Sequence, residues 1–201
     1  MKIQHSKAVR SLAVPFLKTG SFKTRSLGWL ASGVVALAMS TAMSAHASDT
    51  MQYGRGETRC ETTRQQQEML RLVNEARSQA RQCGTEYFPP AESLSWNCQL
   101  EGAAEGHAKT MAEHEYFSHT GLDGSKIQHR VEASGYAWRA VGENIAAGQP
   151  TSSSVVIAWL ESPSHCRNIM LDAFTEMGMA KVDNTQSRYL TYWAQAFGSA
   201  R

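Results

Sequence analysis

Two imidazoles and one carboxylate stand out among the polar side chains: His119 in YFSHTGLDG, Glu143 in VGENIAAG and His165 in SPSHC. Ser, Gly and Pro punctuate both histidine segments, which marks loop or helix-edge positions where polar groups can converge on a cleft. Glu143 sits in an apolar, glycine-bounded stretch, and a carboxylate there costs free energy unless a partner compensates it. Two His and one Glu are also the smallest donor set for an open zinc site, with the fourth position left to water. In such a site Glu143 would act as a ligand or as the general base on that water. No HExxH spacing is present, so the same three residues read equally as a hydrogen-bonded polar cluster that orders loops.

His165 adjoins Cys166, yet cysteine nucleophiles draw their base from a distant part of the chain, because adjacent side chains rarely converge. A GxSxG elbow is missing as well, which leaves a serine hydrolase without a motif. Cys166 therefore reads as a disulfide partner. The cysteines number four, Cys60, Cys83, Cys98 and Cys166, and an even count in an exported chain favours two bridges with three connectivities open. A short loop between two predicted helices favours Cys83–Cys98, leaving Cys60–Cys166 as a long clasp. Of the other histidines, His107 falls on an apolar helical stripe as a core residue hydrogen-bonded to a carboxylate or carbonyl. His114 lies near a helix end, where the macrodipole favours positive charge, and His129 beside Arg130 reads as surface.

Residues 1–47 read as a cleavable export signal. They carry six Lys and Arg and no acidic residue, followed by the apolar run LGWLASGVVALAMSTAM and a small-x-small close at Ala45-His46-Ala47. Gly, Ser and Thr interrupt that run, which argues against a permanent membrane span, and the long leading segment leaves room for a start further downstream. Losing six of the 20 Lys and Arg leaves 14 against 18 Asp and Glu, so the remainder carries about −4. A basic stripe for nucleic acid is absent. Periplasm or external medium is the expected location. Residues 48–64 read as a polar N-terminal arm and 65–201 as one domain.

The elements that must position the three site residues follow from periodicity. TRQQQEMLRLVNEARSQARQCG reads as a helix with Met69, Val73, Ala76 and Ala80 on one stripe and Gly84 as its stop. Pro89-Pro90 make the next stretch a loop. A second helix places Leu100, Ala103, Ala104, His107, Ala108 and Met111 on its apolar face. Residues 118–130 read as a loop running into a short helix, GYAWRAVGENIAAG as a strand, SSSVVIAWLES as a helix, and FTEMGMAKVD and RYLTYWAQAFG as two strands joined by DNTQS. Helices first and strands mostly last argue α+β with an antiparallel sheet.

YFSHTGLDG, GYAWRAVGENIAAGQ, AWLESPSHCRNIM, MGMAKV and YWAQAFG, in that order, resemble the CAP superfamily of cysteine-rich secretory, antigen five and pathogenesis-related one proteins, in its bacterial secreted branch. LVNEARSQAR and HAKTMAEHEYF fit the same pattern, and the resemblance spans roughly residues 65–198. It implies an α-β-α sandwich with a central antiparallel sheet and a cleft. In the family that cleft carries two histidines and two glutamates able to hold zinc or another divalent cation. His119, Glu143 and His165 match three of the four, while Ser162, next to Glu161, stands at the fourth. The resemblance further implies a secreted binding module whose partner is a lipid, a cell-envelope component or another extracellular component. A metal-assisted, protease-like hydrolase using the same cleft is the alternative.

Overall fold

In the computed structural model, which describes residues 60–201, helix α1 spans Arg64–Arg77. Thr63 caps it: its hydroxyl accepts the Gln66 N–H while the Gln66 side chain accepts the Thr63 N–H, satisfying two amides that helix geometry leaves open. The expected signal and residues 48–59 of the expected arm lie outside the described residues. The arm's last residues are tied down, Cys60 by a disulfide and Thr63 as the cap.

The expected length of α1 needs correcting. Its stripe holds through Met69, Val73 and Ala76, but Ala80 lies beyond its end and is exposed. The helix ends at Arg77, whose carbonyl accepts the Ala91 amide. The buried Arg77 guanidinium donates to the carbonyls of Glu92, Ile169, Leu171 and Phe174, four chain oxygens that local periodicity cannot reveal. The chain then forms a hairpin, β1 (Arg81–Cys83) against β2 (Glu86–Phe88), and Gly84 at φ +64° makes its turn rather than a helix stop. Past Pro89-Pro90 comes β3 (Ser95–Trp96), a two-residue edge.

Helix α2 (Cys98–Glu113) buries the predicted stripe, Leu100, Ala103, Ala104, His107, Ala108 and Met111, with Ala112 added. Asn97 caps it through the amides of Gln99 and Leu100. After α3 (Ile127–Ala133) come strand β4 (Trp138–Ala147), helix α4 (Ser152–Glu161), helix α5 (Pro163–Met170) and strands β5 (Glu176–Asn184) and β6 (Leu190–Ala200). The sheet runs β3-β5-β6-β4. Its three long strands are antiparallel, and only the edge β3 joins in parallel.

Helices cover both faces, giving the expected α-β-α sandwich. Trp193 and Phe197 of β6 join one core with Met69, Val73, Trp159 and Ile169 of α1, α4 and α5. Tyr192, Ala194 and Ala196, pointing the other way by strand alternation, join a second core with Leu100, Ala104 and Met111 of α2 and Val131 of α3. Being covered on both faces, β6 is buried from Tyr192 to Ser199. Helix α2 lies almost on the backbone of β5: a Cβ on Gly178 would stand 2.1 Å from the Glu101 amide nitrogen.

The disulfides connect Cys60 to Cys98 and Cys83 to Cys166, which overturns the expected Cys83–Cys98 and Cys60–Cys166 pairing. Their Cα separations, 5.6 and 5.5 Å, suit a bridge. The hairpin is the reason. It lays Cys83 against α5, where Cys166 is fully buried, while the arm brings Cys60 to the start of α2. Proximity in sequence did not reflect proximity in the fold.

Candidate functional site

Three elements deliver the predicted residues to one place. Glu143 comes from the middle of β4, opposite Ala196 of β6, and its side chain is only 4 % exposed. His119 comes from the loop after α2. Its Nδ1–H donates to Glu143 Oε1 at 2.8 Å, with the imidazole 56 % exposed to solvent. His165 comes from α5, and its ring centroid lies 6.4 Å from that of His119, tilted by 42°. The Ser-Pro-Ser stretch is the start of a helix rather than a turn beside a loop: Ser162 is the N-cap and Pro163 occupies the first position, where a missing N–H is harmless. Burial, then the neighbouring His119, holds the His165 imidazole below the ordinary histidine range.

The carboxylate in an apolar strand does have a compensating partner, and it is a residue that sequence reasoning passed over. Arg130 of α3 bonds Glu143 Oε2 through Nη2. With 10 % of its side chain exposed, Arg130 is no surface neighbour of His129. The same guanidinium donates to the carbonyls of Ser125 and His119, stapling the 118–125 loop onto β4. The need for a partner near Glu143 was legible; its identity was not, because the RVEAS context of Arg130 looks like any short helix. His129 accepts the Lys126 amide through Nδ1 and is exposed, as expected.

A buried amide network fixes α5 against the strand. Asn168 Nδ2 donates to the Glu143 carbonyl and to Asn144 Oδ1, both at 3.0 Å. Asn144 Nδ2 in turn donates to the His165 carbonyl and to Gln195 Oε1. Asn144 and Gln195 are fully buried, so each bond left unmade would cost a desolvated amide. The network relates the His165 helix to Glu143 without touching either side chain's polar end.

His107, expected in the core, is buried and bonds the Ser118 carbonyl through Nε2 at 2.9 Å; burial lowers its proton affinity. His114 closes α2 with Nδ1 on the Thr110 carbonyl. Glu161 ends α4 exposed and forms no hydrogen bond or ion pair among the described residues.

The donor set does not fit a divalent cation as it is arranged. Both Glu143 oxygens are engaged, one by His119 and one by a guanidinium whose positive charge opposes a second cation. Among the described residues no three His, Cys, Asp or Glu side chains are placed to hold a metal ion. What the arrangement provides is a solvent-facing imidazole, a half-buried one beside it, and a neutralised ion pair beneath.

The pattern of the CAP family, the cysteine-rich secretory protein family, matches residues 70–197. The chain belongs to the CAP family. This CAP protein is 31 % identical over 98 residues to the Bacillus subtilis protein YkwD, which covers 49 % of the chain and 36 % of YkwD. It is 29 % identical over 86 residues to the Bacillus subtilis membrane protein YlbC, covering 43 % of the chain and 25 % of YlbC. The match thus spans about a third or less of these relatives. Among solved structures it is similar to an extracellular SCP-domain protein of Bacillus anthracis, at 26 % identity and TM-score 0.54, over 67 % of this chain and 40 % of that one. An outer surface protein of Borrelia burgdorferi shares the fold at TM-score 0.54 and 21 % identity, over 67 % of this chain and 89 % of that one.

Proposed function

We propose that this CAP protein is an exported binding module whose cleft, formed around His119, Glu143 and His165, contacts a lipid, cell-envelope or extracellular component. One observation carries the reading: the Glu143 side chain is 4 % exposed and its two oxygens already accept from His119 and Arg130, which leaves water little access to the carboxylate. A general base must reach the proton it removes, and this carboxylate reaches only its own protein. The exposed His119 ring and the half-buried His165 ring instead offer hydrogen bonds and flat surface to something outside. Export is supported by the leader-like composition of residues 1–47 and by the extracellular protein of Bacillus anthracis that shares the fold. Among the described residues no helix is long and apolar enough to cross a membrane.

Co-sedimentation of the purified disulfide-bonded protein with phosphatidylglycerol vesicles and with isolated cell-wall sacculi tests the reading, beside a peptide-hydrolysis assay with and without added zinc. Retention on one of the two surfaces, weakened in His119→Ala and without turnover, is expected. Zinc-dependent hydrolysis abolished by Glu143→Gln, or one-to-one zinc binding by calorimetry that His165→Ala removes, would replace it with the metal-assisted hydrolase.

A further inference from the structure

Arg130 does more in the cleft than neutralise one carboxylate. Its guanidinium donates to Glu143 Oε2, to the His119 carbonyl at 3.2 Å and to the Ser125 carbonyl at 2.9 Å. Oxygens from β4 and from two points of the 118–125 loop thus converge on one cation. The other carboxylate oxygen, Glu143 Oε1, takes the Nδ1–H of His119, whose carbonyl the same guanidinium holds. Gathering a carboxylate and chain carbonyls from separate segments is the part a bound divalent ion plays in a loop-built site.

The charges around the cleft agree with that part. Ser162, where the resemblance placed a second glutamate, caps α5 instead, and the neighbouring Glu161 is exposed. One carboxylate, one guanidinium and two imidazoles remain, which carry no net negative charge while the imidazoles are neutral. An arriving dication would meet a guanidinium already seated on its carboxylate, in a pair whose side chains are 10 % and 4 % exposed, where water screens charge weakly. Arginine keeps its proton throughout the working pH range, so a change in pH does not vacate the place. We infer that Arg130 is the resident cation of this cleft: it does permanently what a divalent ion would otherwise do. The cleft therefore holds its shape without a metal, and loss of Arg130 is what would open it to one. With Arg130 gone, Glu143 Oε2 is free and the 118–125 loop is unstapled. His119, Glu143 and His165 can then close on zinc, which takes imidazole and carboxylate donors.

Zinc titration by calorimetry and thermal unfolding, on the oxidised protein stripped with EDTA, tests this in the wild type, Arg130→Met and Arg130→Met/His165→Ala. The wild type should melt at the same temperature in EDTA and in zinc. Arg130→Met should bind zinc at least about tenfold more tightly than the wild type. It starts from a lower melting temperature, and zinc at a hundredfold excess over its dissociation constant should raise that by roughly 5–10 °C. The double variant should lose this gain. Zinc binding by the wild type that His165→Ala removes overturns the inference, as does equal zinc affinity in the wild type and Arg130→Met. So does an Arg130→Met protein that zinc does not stabilise, or a gain that persists in the double variant. Should Arg130→Met not fold in either buffer, Arg130→Gln, which keeps one neutral donor, takes its place with the same outcomes. None of these measurements uses the vesicles or sacculi, so the inference stands or falls apart from the partner the cleft takes.

Discussion

Replacing Arg130 by Met tests whether the cleft rests on a buried ion pair. Methionine keeps most of the apolar stem and removes the guanidinium, leaving Glu143 with His119 as its one charged or ionisable neighbour in hydrogen-bond contact. Because the Glu143 side chain is 4 % exposed and that of Arg130 10 %, water cannot replace the lost partner. Breaking a buried pair in this way costs roughly 3–5 kcal/mol. The hydrogen bond that His119 keeps puts the expected loss at the lower end, about 3 kcal/mol. For a domain of this size that lowers the melting temperature by roughly 10 °C. The double variant Arg130→Met/Glu143→Gln no longer buries a charge and should recover about 2 kcal/mol of the loss. Urea unfolding of the oxidised protein, in all four corners of the cycle, measures both quantities. A loss below about 1 kcal/mol for Arg130→Met would equal that of a solvent-exposed pair and refute the buried-pair account.

The two depressed histidines, His107 and His165, are neutral in the fold and take up protons more readily when unfolded. Their stability contribution is therefore present above the ordinary histidine value of 6.5 and is lost as pH falls below it. Unfolding followed between about pH 7.5 and 5 should show stability dropping on the acid side. The slope should lessen in His165→Asn, and an unchanged slope would exclude His165 as a source. Peptide mapping without reduction should link the Cys83 peptide to the Cys166 peptide and Cys60 to Cys98. Cys83→Ser/Cys166→Ser should lower stability by about 2–4 kcal/mol. Gly178→Ala drives a methyl group into the α2 backbone and should cost about 3 kcal/mol or more by thermal unfolding, with little effect if α2 can shift outward.

Elements whose evidence is local were readable in the chain alone. The stripe on α2 repeats with the helical period and is buried residue for residue, because one turn of backbone decides which side chains share a face. The segments read as strands form β4, β5 and β6, and the family motifs named His119, Glu143 and His165 before any geometry was known. A buried carboxylate requires a partner wherever it occurs, so Glu143 was marked from its surroundings alone. Tertiary structure alone decided which cation answers it, since Arg130 reaches Glu143 across the α3–β4 junction by a path no periodicity encodes. It also decided how the end of α1 is held, because the Arg77 carbonyl accepts the Ala91 amide and its guanidinium bonds carbonyls more than ninety positions along the chain. The disulfide pairing depends on the same long-range packing: a hairpin too short to give a periodic signal carries Cys83 to α5. Side-chain pattern reports how a segment meets its own helix or strand axis. Which segments then meet one another depends on the whole sandwich, and that is where the partners of Glu143 and Cys83 were settled.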